Sequence, residues 1–274
     1  MREMKKRTIL LASASVMILF LSGCSFSSNN GNSSHSGMDH SSHGTEPGSA
    51  AAGGGSYLDQ VIPENVLKLP LVNSDGKTIN LDSYKGKWVV ATNFLTSCQE
   101  ICPMTTALLN SIATQVGAKR GSADFSFIEI SVDSKRDTTT RMSAYKKIAN
   151  ANAIELLTGP ENSLKNIWDF FGAPYKITSI DAKEAADLPV DWQTGKKATY
   201  DVMHPDLVLI LSPDQHWRWI NLGSPDATHA VVPEKLQAFL SADGKSNLAK
   251  PQEPTWTSDS VLAALSDLSK NKAL

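Results

Sequence analysis

Short apolar runs separated by polar turns indicate where strands lie along the chain, and the folded part is predicted to begin near Tyr57. Two short apolar stretches flank the turn sequence NSDG at 73–76, a pattern that favours a β-hairpin. Continuous short apolar runs bounded by turn residues are typical of buried strands. Such runs predict further strands at 87–95, 125–132, 154–159, 206–212 and 216–222, the last two joined by the turn sequence SPDQ.

Helical periodicity lies between these strands. Pro103 suits the first position of a helix, which makes Cys102 its cap, and Gly117 predicts where that helix ends. An apolar stripe at helical spacing joins them, at Met104, Leu108, Ile112 and Val116. Further helices are predicted at 138–149, from a Ser163 cap to Gly172, and from about 233 to 240, with irregular structure over 173–200.

The order of hairpin, β, α, β, α, β, α, β, β, α predicts an α/β protein with helices on both faces of a central sheet. This is the layout of a thioredoxin-like fold with an N-terminal β-hairpin, and we assign it to residues 57–245. Residues 246–274 form a C-terminal helical extension, which we expect to dock on the domain rather than to meet a partner. Its apolar residues recur at helical spacing, at Val261, Leu262, Leu265 and Leu268.

The first 23 residues have the features of a targeting segment. Basic residues precede an apolar run that is short for a membrane span, and the run ends in LSGC at 21–24. LSGC is similar to a bacterial lipobox, which predicts that residues 1–23 are a lipoprotein signal peptide and that Cys24 is lipidated. The other interpretation is an uncleaved anchor helix with a free cysteine. Both place the protein on the extracytoplasmic face of the cell membrane.

Residues 24–56 are rich in Ser, Gly, Asn and Ala and lack apolar periodicity, as expected of a lipid-anchored flexible linker. Imidazole and thioether groups are both copper ligands. The linker contains four residues with such groups: His35, Met38, His40 and His43. They predict an auxiliary copper site, and the alternative is that they are incidental in a polar tether.

Composition and charge narrow the class of protein. The chain is 41% hydrophobic and 20% charged, as in ordinary globular proteins. A formal net charge of −2 provides no basic surface for nucleic acid.

The stretch TSCQEICPMTT carries the candidate chemistry. If Cys24 is lipidated, Cys98 and Cys102 have only each other among the three cysteines. A disulfide across so short a loop constrains the unfolded chain little, so a structural role is the weakest interpretation. The start of a helix favours thiolates, which leaves a redox-active pair and a soft-metal site as the alternatives.

A metal site needs a further ligand, and His204 is the candidate. It lies in a loop before a predicted strand, and in a thioredoxin-like sheet that loop is close to the cysteines. The alternative is an ordinary loop histidine. His216 and His229 lack comparable positions and are predicted to be solvated.

Three segments together resemble the SCO/SenC family: FLTSCQEICP, ISVDSKRDTTTRMSAYKK and YDVMHPDLVLILSPD, which occur in the family's order over about residues 60–242. The resemblance implies a membrane-tethered copper-binding protein that serves assembly of the dinuclear copper centre of cytochrome c oxidase. It implies copper, as Cu(I) or Cu(II), held by Cys98, Cys102 and His204. The implied partner is the copper-site subunit of the oxidase or another copper acceptor.

The second segment of the resemblance supplies Asp133, Arg136 and Asp137, for which we expect mainly structural roles. A carboxylate–guanidinium pair can fix the loop, and Asp137 or Thr138 can cap the helix. The third segment departs from the family, because Met203 stands where an Asp often precedes the histidine. A carboxylate there would orient the imidazole.

Two functions remain open at this stage. One is a metallochaperone that delivers copper by ligand exchange. The other is a thiol–disulfide oxidoreductase in which Cys98 attacks a disulfide of the oxidase copper site and Cys102 resolves the mixed disulfide. Whether the protein is an enzyme depends on which of the two operates.

Overall fold

The computed structural model describes residues 54–120, 123–181, 183, 186, 190–228, 230–251 and 253–269. Several sequence predictions lie outside these residues: the signal peptide, the lipidated Cys24 and the linker residues His35, Met38, His40 and His43. His229 lies outside them too. Within the described ranges, no helix is both long enough and apolar enough to cross a membrane.

The strands and helices alternate along the chain. The strands are β1 (Ser56–Val61), β2 (Leu71–Asn73), β3 (Thr78–Ile79), β4 (Trp88–Phe94), β5 (Phe125–Ser131), β6 (Glu155–Thr158), β7 (Lys176–Ser179), β8 (Tyr200–Met203), β9 (Leu207–Leu211) and β10 (His216–Leu222). The helices are α1 (Glu64–Leu67), a 3₁₀ turn (Leu81–Tyr84), α2 (Cys102–Arg120), α3 (Thr139–Ile148), α4 (Glu161–Phe170), α5 (Glu234–Gln237), α6 (Ala242–Ala249) and α7 (Ser258–Leu268).

Eight strands form the main sheet, in the order β1-β10-β9-β4-β5-β6-β2-β3, and β7 pairs with β8 in a separate two-stranded sheet. β4, β5 and β6 are parallel, whereas β9 runs antiparallel to β4. β4 is buried from Val89 to Phe94 without alternation, so both faces of the sheet are covered. This confirms the thioredoxin-like α/β fold that the sequence predicts.

The N-terminal hairpin is also confirmed. β2 and β3 pair antiparallel, with Leu71 opposite Ile79, and the turn lies between them as predicted. The sequence did not reveal β1, which pairs with the edge of the sheet at β10. The exposed residues of β1 outnumber its half-buried ones, so it lacks the apolar alternation by which strands are recognised.

Three boundary predictions were wrong. α2 starts at Cys102 and continues through Gly117, because an isolated glycine is tolerated inside a helix that is stabilised by packing. α4 begins two residues before Ser163, with Pro160 at the cap, and Ser163 is buried inside the helix. The supposedly irregular stretch 173–200 contains β7, which is short and only half-buried.

The C-terminal extension docks on the domain, as predicted. Val261 and Leu265 are fully buried in the common core, and α7 packs against α2. A reciprocal capping box between Thr257 and Ser260 starts α7. The predicted division between domain and tail at 245/246 falls inside α6.

Removing the Leu265 side chain tests this docking. Leu265→Ala deletes a fully buried side chain and leaves a cavity, so we expect a loss of about 2–5 kcal/mol in the free energy of unfolding. Urea denaturation of the full chain measures it. Leu222→Ala is the control: this leucine is 56% exposed, and its loss should cost no more than about 0.5 kcal/mol. Equal effects would contradict docking of α7.

Candidate metal centre

The cysteine loop, residues 98–102, connects the end of β4 to the first turn of α2. Both cysteines are free thiols; Cys98 is half-buried and Cys102 is only 1% exposed. The Cys102 backbone N–H donates to Cys98 Sγ at 3.3 Å. The two sulfurs are therefore close, with Cys98 nearer to solvent and Cys102 behind it.

The two thiols have opposite electrostatic environments. The Cys102 side chain donates a hydrogen bond to Cys98, and together with backbone N–H groups of the loop this lowers the pKa of Cys98 despite burial. The same hydrogen bond, burial and the neighbouring Cys98 raise the pKa of Cys102. Cys98 is thus the more readily ionised thiol of the pair, and Cys102 holds its proton more firmly.

The His204 loop, residues 204–206, lies beside the end of β4. Asn93 near that end donates its side-chain N–H to the Pro205 carbonyl oxygen at 2.7 Å. The connection follows from topology, because β9 runs antiparallel to β4 and therefore starts where β4 ends. The predicted proximity of this loop to the cysteine loop is confirmed.

The surroundings of the imidazole favour one tautomer. The His204 side chain is 7% exposed, and its Nδ1 lies 3.2 Å from the Pro205 carbonyl oxygen. A carbonyl only accepts hydrogen bonds, so Nδ1 carries the proton and Nε2 keeps a free lone pair. Nε2 is the nitrogen available for a metal.

A cavity of about 340 Å³ is lined by both Cys98 and His204. Its lining also includes three acids, a thioether and a guanidinium, which belong to Glu100, Asp201, Asp206, Met203 and Arg136. Cys102 lies behind the lining rather than on it. Across the part of the chain that the structure describes, no three or more His, Cys, Asp or Glu side chains form a group that could hold a metal ion.

The substitution of Met203 for the expected acid has a structural counterpart. Met203 is 61% exposed on the cavity rim. The carboxylate near the imidazole comes instead from Asp206, whose Oδ1 lies 3.9 Å from His204 Nδ1. Asp206 is held in turn by the Ser224 hydroxyl, which donates to Oδ2 at 2.8 Å. The acid beside the imidazole is therefore Asp206, which follows the histidine in sequence and lies on the Nδ1 side of the ring.

The expected carboxylate–guanidinium pair is present and fixes the strand before His204. Arg136 pairs with Asp133, and its Nη1 donates to the Tyr200 carbonyl oxygen at 3.1 Å. The guanidinium stacks 3.9 Å from the centroid of the Tyr200 ring, whose hydroxyl donates to Asp133 Oδ1 at 2.8 Å. These contacts attach the start of β8 to the loop after β5.

The sequence left open whether Asp137 or Thr138 caps α3, and in the structure the two residues have different roles. Thr138 caps α3, its side chain accepting from the Arg141 N–H. Asp137 is fully buried and accepts from the backbone N–H of Thr96 at 3.1 Å and from the Ser131 hydroxyl at 2.6 Å. Asp137 therefore links the end of β5 to Thr96, which follows β4 and lies two residues before Cys98.

Sequence reasoning missed Glu129, a fully buried acid in the middle of β5. The Thr106 hydroxyl donates to its Oε2 at 2.9 Å, and Thr106 lies one helical turn after Cys102. The hydroxyl of Tyr145 lies 3.4 Å from that of Thr106. The available signal was a single carboxylate within a largely apolar strand. It places a titratable group under the helix that carries Cys102.

Known proteins provide an independent comparison. A model of the SCO1/SenC family matches residues 67–241. A protein of Stutzerimonas stutzeri, named for copper binding, is 25% identical over 193 residues, which cover 66% of this chain and 84% of that protein.

Among the solved structures, apo Sco1 from Thermus thermophilus supports the fold. Apo Sco1 from Thermus thermophilus has a TM-score of 0.50 at 18% identity and covers 78% of this chain and 95% of its own. A structure of BsSco, described as a member of the Sco family of cytochrome c oxidase assembly proteins, has a TM-score of 0.42 at 21% identity. It covers 61% of this chain and 86% of its own.

Glu129 should make stability depend on pH. Burial raises its pKa from 4.5 to about 8, against the lowering effect of the Thr106 and Thr92 hydroxyls. The folded state therefore binds this proton more tightly than the unfolded chain does. Its stabilising contribution is complete below about pH 4.5 and is lost as the pH rises through about 8.

Glu129→Gln should remove that loss, which amounts to at most roughly 5 kcal/mol at about 1.4 kcal/mol per pKa unit. Urea unfolding at about pH 5 and about pH 9 measures it in both proteins. Asp137, whose pKa burial raises to about 6, contributes equally to the parent and the variant. The exposed Glu234→Gln serves as control. A variant that loses as much stability as the parent would exclude Glu129 as the cause.

Proposed function

The chain belongs to the SCO1/SenC family, and from that premise we propose that it is a membrane-anchored, extracytoplasmic copper metallochaperone. It binds one copper ion through Cys98, Cys102 and His204 and delivers it to the dinuclear copper site of cytochrome c oxidase. The observation that carries the proposal is the shared cavity of Cys98 and His204, in which Cys98 has a lowered pKa.

The chemistry of these side chains fits copper. Thiolates are soft ligands that select Cu(I), and an added imidazole also suits Cu(II). Cys98 supplies a thiolate and His204 a free Nε2, whereas Cys102 must lose its proton when metal binds. Because the three side chains are not gathered into one group among the described residues, binding also requires the His204 loop to move towards the cysteine loop.

Delivery follows from exposure and attachment. Cys98 faces the cavity, so a thiolate of the acceptor can approach the copper from the open side and replace Cys98 as its ligand. Lipidated Cys24 and the linker at 24–56 keep the domain close to a membrane-bound oxidase. The linker residues His35, Met38, His40 and His43 bind further copper weakly.

His204→Ala tests the ligand assignment. We expect the affinity of the reduced protein for copper to fall about tenfold or more, with loss of a thiolate-to-Cu(II) charge-transfer band of the parent. Anaerobic titration of the full chain against a competing chelator measures the affinity. The matched control is His216→Ala, because His216 does not line the cavity. The prediction that His216 lies free in solvent was wrong, since its Nδ1 lies 2.6 Å from Asp59 Oδ1.

Native copper affinity in His204→Ala would end the assignment of this ligand. A parent protein that binds no copper when fully reduced would end the metallochaperone proposal as a whole.

The second candidate is a thiol–disulfide oxidoreductase, favoured by the lowered pKa of the half-buried Cys98 and by the buried Cys102, whose backbone N–H lies 3.3 Å from Cys98 Sγ. Cys98 attacks a partner disulfide and forms a mixed disulfide, releasing one partner thiolate. Cys102 then attacks Cys98, which leaves a Cys98–Cys102 disulfide and a reduced partner. Cys102→Ser should trap the mixed disulfide on non-reducing gels, whereas Cys98→Ser should not. If Cys102→Ser traps no mixed disulfide and the parent does not reduce an oxidase copper-site peptide, this candidate is dismissed.

A further inference from the structure

The contact between α6 and the cysteine loop lies at the rim of the cavity. The backbone N–H of Ser241, the cap of α6, donates to the Gln99 carbonyl oxygen at 2.9 Å. The Ser241 hydroxyl accepts from the Gly244 N–H at 3.0 Å and closes the first turn of the helix. Ser241 itself lines the cavity with Cys98 and His204. The helix start is thus attached directly to the loop between the two cysteines.

Gly244 allows this contact because it has no side chain. A Cβ atom at position 244 would lie 2.1 Å from the Gln99 carbonyl oxygen and 3.1 Å from Glu100 Cα. Both are backbone atoms, so no side-chain rotation relieves the clash. Any larger residue must push the helix and the cysteine loop apart.

The segment in contact with α6 also provides the hydrogen-bond donors to the thiolate. Backbone N–H groups of Glu100, Ile101 and Cys102 donate to Cys98 Sγ. The preceding residue Thr96 is held separately, by Asp137 and by the Trp192 indole, which donates to the Thr96 carbonyl oxygen at 2.6 Å. Different parts of the chain therefore hold the two ends of the segment: Asp137, just before α3, and Trp192 on one side, and α6 on the other.

We propose that α6 is a positioning element for the copper site, and that Ser241 and Gly244 hold the cysteine loop in the shape that binds metal. The inference rests on the proposed copper function of the same site. The family model matches residues 67–241 and so ends where α6 begins. The chain thus places residues outside the matched segment against its metal-binding loop.

Gly244→Ala in the full chain is the test. We expect Cu(I) affinity, measured by anaerobic competition with a chromogenic chelator, to fall about 10- to 100-fold, as for lost outer contacts of other metal ligands. Hydrogen exchange of the Ser241 amide should become faster in the metal-free protein, because its acceptor moves away. Gly117→Ala is the matched control, since a Cβ there has no atom within 4 Å.

The outcomes separate this proposal from the copper function. If the parent and Gly117→Ala bind Cu(I) and Gly244→Ala binds within twofold of them, α6 does not position the site. If the parent binds no Cu(I), the copper function fails, while amide exchange still reports whether α6 holds the loop. A destabilised control, Leu265→Ala, should keep parental Cu(I) affinity and so exclude a general effect of stability.

A second pair of variants covers the case in which Gly244→Ala does not fold. Ser241→Pro removes the N–H that Gln99 accepts, at a residue whose φ of −64° already suits proline. Ser241→Ala keeps that N–H and removes only the hydroxyl cap. Weaker Cu(I) binding in the proline variant alone supports the proposal, and equal affinity in the two variants overturns it.

Discussion

The end of β4 lies between a parallel and an antiparallel neighbour, and the site depends on this arrangement. Because β5 runs parallel to β4, the loop with Asp133 and Asp137 leaves the sheet at the same edge as the cysteine loop. Because β9 runs antiparallel, the chain that enters it, with His204, arrives at that edge as well. Hydrogen bonds from Asn93 and Thr96 then join the three loops.

Within this frame, hydrogen bonding gives two chemically identical thiols different properties. One sulfur accepts from the first turn of α2 and opens to the cavity, and the other donates to it from the core. A soft ion and an incoming disulfide would both meet the same accessible sulfur, that of Cys98, first. This explains why copper delivery and thiol exchange compete as interpretations of one pair of cysteines.

The sequence predicted features that depend on local pattern or on sheet topology. Apolar runs located β4, β5 and β9, and the strand order then implied that His204 lies near Cys98. The position of Glu129 was not predicted, because its burial depends on Thr92 and Thr106 from two other elements. The role of Gly244 was missed for a related reason, since nothing local to a glycine shows which backbone lies against it.

Local signals also failed where packing overrides them. Gly117 does not end α2, because burial up to Val116 stabilises that helix and an isolated glycine is tolerated within it. The β7–β8 pair is polar on much of its surface, so it lacks the period by which strands are recognised. The acid that accompanies His204 follows it in sequence, where comparison with a motif does not look for it.

The contact between α6 and the cysteine loop affects where a recombinant fragment of the protein should end. A recombinant fragment cut at the edge of the family match, after residue 241, keeps every candidate ligand. It discards the backbone that lies against Gln99 and the buried residues of α7. If α6 positions the site as proposed, such a fragment binds copper more weakly than the whole chain, and a fragment that extends through α7 keeps the contact with Gln99.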